Sequence, residues 1–208
     1  MTDSLGAAVA LADGLAIGAD GKARCFWGAS ADYVAYHDTE WGRPIHTDDG
    51  LFERMSLEAF QSGLSWLTIL RKRESFRAAF AGFAIPAVAK FTEADATRLM
   101  ADPGIVRNRM KVDAAINNAR VAAELPDGLA KLLWSYAPER RPRPAGRAEV
   151  PALTPESKAM AKDLKKRGFK FVGPTTAYAL MQATGMVDDH IQGCFVPPIS
   201  PRLLARRR

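Results

Sequence analysis

Apolar residues along this 208-residue chain recur at the three-and-four spacing of helices, and almost no segment alternates as a strand does. After Asp49, Leu51 and Met55 lie one turn apart and Glu58 follows on the same face, so a carboxylate stands where a core residue is expected. Burying an ionised carboxylate without a partner is expensive, so the position predicts a buried partner or a ligand. Gly63 interrupts the pattern. From Trp66 a second core helix carries Ile69, Leu70, Phe76 and Phe80, with Arg71, Lys72 and Arg73 between them.

Thr92 and Asp95 predict a capping box for a short helix reaching Met100, closed by Pro103 and Gly104. A longer helix over about residues 107–124 turns Val112, Ala115, Ile116, Ala119 and Ala122 to the core, and a short one carries Leu129, Leu132, Leu133 and Trp134. Residues 138–151 hold four prolines and four arginines with little to bury, which predicts a surface loop. Thr154 and Pro155 then start a basic helix. Gly168 fits a left-handed helix end and Pro174 the first turn of the next helix, so residues 169–173 offer helix-terminal N–H groups to an anion. That arrangement, with Lys170, Gly173 and Thr175 as candidate backbone contacts, resembles the helix-hairpin-helix element of DNA repair proteins; two helices joined by a glycine loop also occur in unrelated folds.

The length suits one domain, and 48% apolar with 25% charged residues is a globular balance. The net charge of +6 is unevenly placed, in 71–77, 139–147, 158–170 and the arginine-rich end, and points to nucleic acid as the partner. No apolar run approaches the roughly 20 residues of a membrane span. Residues 1–22 do not read as a secretory signal, since Asp3 precedes the apolar run and Asp13 interrupts it. They are expected to form a flexible extension, with one folded domain over 23–197 and a basic tail over 198–208.

The only two cysteines and two of the three histidines fall at opposite ends of the chain, Cys25 with His37 and His190 with Cys194. Such a Cys₂His₂ set suits one closed tetrahedral Zn²⁺, whose role is structural, although a buried thiol beside unrelated polar residues gives the same composition. His46, in a Pro/Asp-rich loop, reads as an ordinary surface histidine. Trp27, Tyr33, Tyr36 and Trp41 flank His37, and Trp66 follows Glu58. Dense aromatics usually build core, but rings beside a carboxylate also suit a pocket for a flat cationic base.

The segments RCFWG (24–28), DYVAYHDTEWGRP (32–44), LFERMSLEAFQSGLSWLTILRKRESFRAAF (51–80), DPGIVRNRMKVDAAINNAR (102–120), KKRGFKFVGPTTAYALMQATG (165–185) and VDDHIQGC (187–194) resemble bacterial 3-methyladenine DNA glycosylase I over about residues 24–195. The resemblance implies an all-α fold of the helix-hairpin-helix glycosylase superfamily. A structural zinc on Cys25, His37, His190 and Cys194 would join the N- and C-terminal segments. The implied reaction is monofunctional hydrolysis of the N-glycosidic bond of 3-methyladenine in double-stranded alkylated DNA, with the free base as product and an abasic site left behind. Glu58 and Tyr36 take the catalytic positions, and Trp27, Tyr33 and Trp66 the base-binding ones. A cytoplasmic monomer is expected. The non-enzymatic alternative is a zinc-stabilised DNA-binding module. Two positions depart from the pattern. Phe171-Val172-Gly173 replaces the two glycines common in such hairpins, and Asp188 stands where the family often has Asn, leaving a catalytic or a merely structural aspartate.

Overall fold

A computed structural model describes residues 11–198. Strands β1 (Leu15–Ile17) and β2 (Ala23–Cys25) pair antiparallel, with Leu15 opposite Cys25. A 3-10 turn at Phe26–Ala29 leads into α1 (Ala31–Thr39). Helices α2 (Asp48–Gln61), α3 (Trp66–Ala79), α4 (Ile85–Val88), α5 (Glu93–Ala101), α6 (Arg109–Ala123) and α7 (Gly128–Trp134) follow. Beyond the arginine-rich loop come α8 (Pro155–Lys166) and α9 (Pro174–Ala183). The fold is thus mostly helical, and the hairpin corrects the expectation of helices alone. Strand β1 lies within residues 1–22 and pairs with β2 just beyond them; a three-residue strand is too short to show an alternating pattern. Residues 1–10 and nearly all of the expected basic tail lie outside the described residues.

Helix starts follow local chemistry. The Ser65 and Asn108 side chains accept from the N–H groups of Thr68 and Lys111, and Thr92 with Asp95 closes a capping box. Asp48 and Asp49 in the first turn of α2 reach across the fold instead. They accept from Ala130 N–H (2.7 Å) and Ile85 N–H (2.9 Å), locking α2 to α7 and α4.

Helix α2 is the hub. It packs against α3, α6, α7 and α9, and Leu51, Phe52, Met55, Leu57 and Phe60 on its different sides are all buried. Its far end is held by Lys111 of α6, whose buried ammonium donates to Phe60 O (2.9 Å) and Ser62 O (2.6 Å), a cation set on the helix's negative end. Burial lowers the pKa of Lys111. The turn that follows, with Gly63 at φ +82°, re-aims the chain into α3 so that Trp66 faces back toward Glu58's side of α2.

A second, smaller core of Cys25, Ile191, Cys194 and Val196 joins the two ends of the described chain. The 138–151 segment, expected as a surface loop, is seated against it: Arg143 donates to Asp188 and Val196 O, and Gln192 N–H to Pro144 O.

Candidate functional site

Where the two cores meet, a cavity of about 510 Å³ opens. Its walls include all five residues expected to handle a base: Trp27 from the 3-10 turn, Tyr33 and Tyr36 from α1, Glu58 from α2 and Trp66 at the start of α3. The rings pack edge-on or tilted: Trp27 lies 5.7 Å from Tyr33 and 5.0 Å from Trp41, and Tyr36 lies 5.3 Å from Trp66. Trp66 Nε1 is buried without a hydrogen-bond partner.

Glu58 is 6% exposed and forms no ion pair among the described residues. Burial pushes its carboxyl up to about 8, against a weaker opposing pull from Arg54 one turn earlier. Arg54 is itself committed elsewhere. Its Nη2 donates to Glu40 (2.7 Å), its guanidinium lies 5.5 Å from the Tyr36 ring centre, and Arg73 clamps the other side of Glu40. Burial likewise pushes the Tyr36 hydroxyl upward. Neither group readily ionises in the free protein at neutral pH, so the cavity presents π-faces and an acid that a cation would draw into its charged form.

Gln61, Arg147, Ala179, Gln182 and Asp189 also line the cavity and were not anticipated. Gln61 sits three residues after Glu58 on one helix face, a signal available in the sequence; the others arrive from distant segments. The adjacent aspartates divide their tasks. Asp189 is buried, accepts from Tyr178, Arg141 and Gln182, and so fixes the Gln182 amide at the cavity wall. Asp188 accepts from Arg143 (2.9 Å) and bonds His190 Nδ1 (2.9 Å). Burial alone would raise Asp188, but those two hydrogen bonds hold it at about 2.

Behind the aromatic wall, the ligand atoms of Cys25, His37 and Cys194 lie within 4.8 Å of one another, all buried, a group that could hold a metal ion. His190 falls outside that group, yet its Nε2 is buried without a partner and its ring is 5.2 Å from that of His37. Both imidazoles are oriented through Nδ1, His37 by Asp38 (2.8 Å) and His190 by Asp188. Two glycines make room for them. A Cβ on Gly28 would stand 2.3 Å from the His37 ring, and one on Gly42, at φ +72°, 2.8 Å from His190 Cε1. The Cys194 thiol is held down first by a hydrogen bond from Cys25 and then by His37, while Cys25 is pushed up. His46 is no free surface residue: its ring stacks on Trp134 at 4.4 Å.

At the α8–α9 connection, Asn117 and Asn118 of α6 bind Gly168 O, Lys170 O and Lys170 N–H, which fixes the loop. Lys170 and Thr175 are exposed and Gly173 is the N-cap of α9. Among the described residues no side chain caps that helix, and Pro174 has no N–H, so the N–H groups of its first turn have no side-chain partner there.

The residue pattern of the methyladenine glycosylase family matches residues 27–197. The chain belongs to that family. It is 44% identical to DNA-3-methyladenine glycosylase 1 of Escherichia coli over 84% of this chain and 97% of that one. It is 43% identical to DNA-3-methyladenine glycosylase of Haemophilus influenzae over 82% of this chain and 96% of that one. A crystal structure of a 3-methyladenine DNA glycosylase I superposes with a TM-score of 0.80 at 45% identity, covering 84% of this chain and all of that one. The Staphylococcus aureus enzyme, solved for its recognition of 3-methyladenine, gives 0.81 at 34% identity over 85% of this chain and 97% of that one. In this methyladenine glycosylase, no helix of the described residues is long and apolar enough to cross a membrane.

Proposed function

We propose that this chain is a base-excision repair enzyme that hydrolyses the N-glycosidic bond of 3-methyladenine in double-stranded alkylated DNA and leaves an abasic site. The observation that carries the reading is the buried, unpaired Glu58 at the wall of an aromatic cavity, in a family whose relatives bear that activity in their names. A purine methylated at N3 is cationic while attached to the sugar. Ring faces attract that charge, and the cation favours loss of the Glu58 proton to solvent, after which the carboxylate accepts from the exocyclic amine. Neutral adenine drives no such ionisation, so it is left with a protonated acid and no charge to stabilise. Water is the nucleophile: its oxygen bonds to the sugar C1′ and gives up one proton to solvent, while the glycosidic electron pair leaves with the base, neutralising it. Because the leaving group is already activated, selection of the base by Tyr36, Glu58, Trp27, Tyr33 and Trp66 does most of the catalytic task.

The duplex would be gripped by the α8–α9 element acting as a helix-hairpin-helix, with a phosphate at the open first turn of α9 and contacts from Lys170, Gly173 and Thr175. Cys25, His37, Cys194 and His190 would hold a Zn²⁺; two buried thiols, a buried unpartnered Nε2 and Nδ1 atoms already fixed by carboxylates fit such a donor set. A zinc closed by four protein ligands supplies cohesion and no open coordination position. Tyr36 precedes His37, so the same helix turn positions ligand and pocket wall. In this reading the protein acts as a cytoplasmic monomer on the DNA.

The test is chromatographic detection of bases released from methylated duplex DNA. Wild type should release 3-methyladenine, and Glu58→Ala should cut the rate by about a hundredfold, roughly 2.7 kcal/mol of barrier, while keeping DNA affinity. A folded wild-type protein that binds the duplex but releases no base would instead be a DNA-binding module.

A further inference from the structure

At the rim of the cavity Arg147 occupies an unusual position. It lines the same cavity as Glu58, yet its side chain is 57% exposed, and it donates through Nε and Nη2 to Asp13 Oδ1 at 3.1 and 2.9 Å. Asp13 is 59% exposed. An ion pair this open contributes little stability, because water and salt screen it. The guanidinium is nevertheless precisely presented. Its carbon lies 5.0 Å from the ring centre of Phe26, a half-exposed aromatic of the same rim. Its stem crosses the face of Gly14, where a Cβ would stand 2.7 Å from Arg147 Cγ. The backbone carrying it is fixed too: Ala145 N–H donates to Glu149, and Gln192 ties down Arg143 O and Pro144 O. A rigid scaffold thus holds a bidentate cation at the mouth of a base pocket, its hydrogen bonds among the described residues going to a weak, exposed carboxylate.

We propose that Arg147 is a DNA-phosphate contact for the nucleotide whose base enters the pocket, and that Asp13 is its placeholder in the free protein. A phosphodiester offers the guanidinium two oxygens and full negative charge, and a base can enter the cavity only if its own backbone is drawn against this rim. Ala179 and Gln182 of α9 line the same cavity, and Gln182 lies nine residues beyond Gly173, about 14 Å along the helix axis from the open first turn. One strand can therefore be held at the hairpin and at Arg147 together. The inference rests on the glycosylase reading for the identity of the ligand as DNA.

The experiment measures affinity for a short synthetic duplex carrying an abasic-site analogue, as a function of salt, alongside base release by the wild type. Arg147→Gln should lower the slope of log affinity against log salt by about one and weaken binding roughly eightfold near 0.1 M salt. Arg147→Lys, which keeps the charge, should keep the slope. Asp13→Asn, which removes the competitor, should bind at least as tightly as wild type. An unchanged slope in Arg147→Gln, a slope lost equally in Arg147→Lys, or weaker binding by Asp13→Asn would each overturn the proposal, the last by showing the pair to be structural. If the slope falls but the wild type releases no base, the contact stands and the glycosylase reading fails; release with an unchanged slope refutes the contact alone.

Discussion

The two cores of this molecule are built on different principles. The main one surrounds α2 with large apolar side chains, Leu51, Phe52, Phe60, Phe76 and Phe80 among them, all fully buried. Burial at about 25 cal/mol per Å² suffices there, and no single polar contact decides the outcome. Among the described residues the smaller one has four buried members, Cys25, Ile191, Cys194 and Val196, too few to hold two distant segments by apolar area. Polar geometry takes over instead: Arg24, with its side chain 2% exposed, donates to Asp20 at 2.6 Å and to Asp38 at 2.8 Å, and Asp38 in turn bonds His37. The cavity lies between a region that tolerates adjustment and one that depends on a few exact partners.

Substitutions should separate the two. Phe76→Ala, in the middle of the main core, should cost about 3–5 kcal/mol in urea unfolding and reduce all helical signal together. Glu58 is a buried polar group of the main core whose effect carries a pH signature. Its folded pKa of about 8 lies above the ordinary 4.5, so between those values the unfolded chain has released a proton that the folded chain keeps. Stability therefore falls as pH rises through that window, and Glu58→Gln should stabilise by up to about 4–5 kcal/mol at its upper end and by nothing below its lower end. A melting difference independent of pH would contradict the buried, protonated acid. Arg24→Ala leaves Asp38 with His37 as its remaining side-chain partner and should cost about 1–3 kcal/mol, with hydrogen exchange rising first in β1, β2 and residues 190–196 while α2 stays protected. Smallest in energy, a strong chelator should lower the melting temperature by about 4 °C or more, the shift that roughly 1 kcal/mol produces in a domain of this size. Unchanged melting together with no metal by elemental analysis would remove zinc from the smaller core.

How far the residues announced these two regions differs in the same way. The capping box at Thr92 and Asp95, the Thr154–Pro155 start and the Gly168 end were legible because each is settled within one helical turn. Glu58 was legible as a carboxylate on an apolar face. The β-hairpin was not, since three residues per strand carry no period and its pairing is useful only against the C-terminal segment. Nor were Arg147, Gln182 and Asp189 as cavity residues, or the stacking of His46 on Trp134, because their neighbours lie in remote parts of the sequence.

The helices, their caps, the apolar faces and the residue types suited to a base and a metal follow from the order of residues, because they rest on interactions within a few positions. The family likeness extends that to the aromatic set around Glu58. Contacts across the fold settle the rest: Asp189 faces the cavity while Asp188 turns to His190, His190 stands apart from the group of Cys25, His37 and Cys194, and Arg147 waits at the rim on Asp13. Such choices depend on which distant segments meet. A side chain's chemistry fixes what it can bind; its neighbours across the fold fix what it does bind.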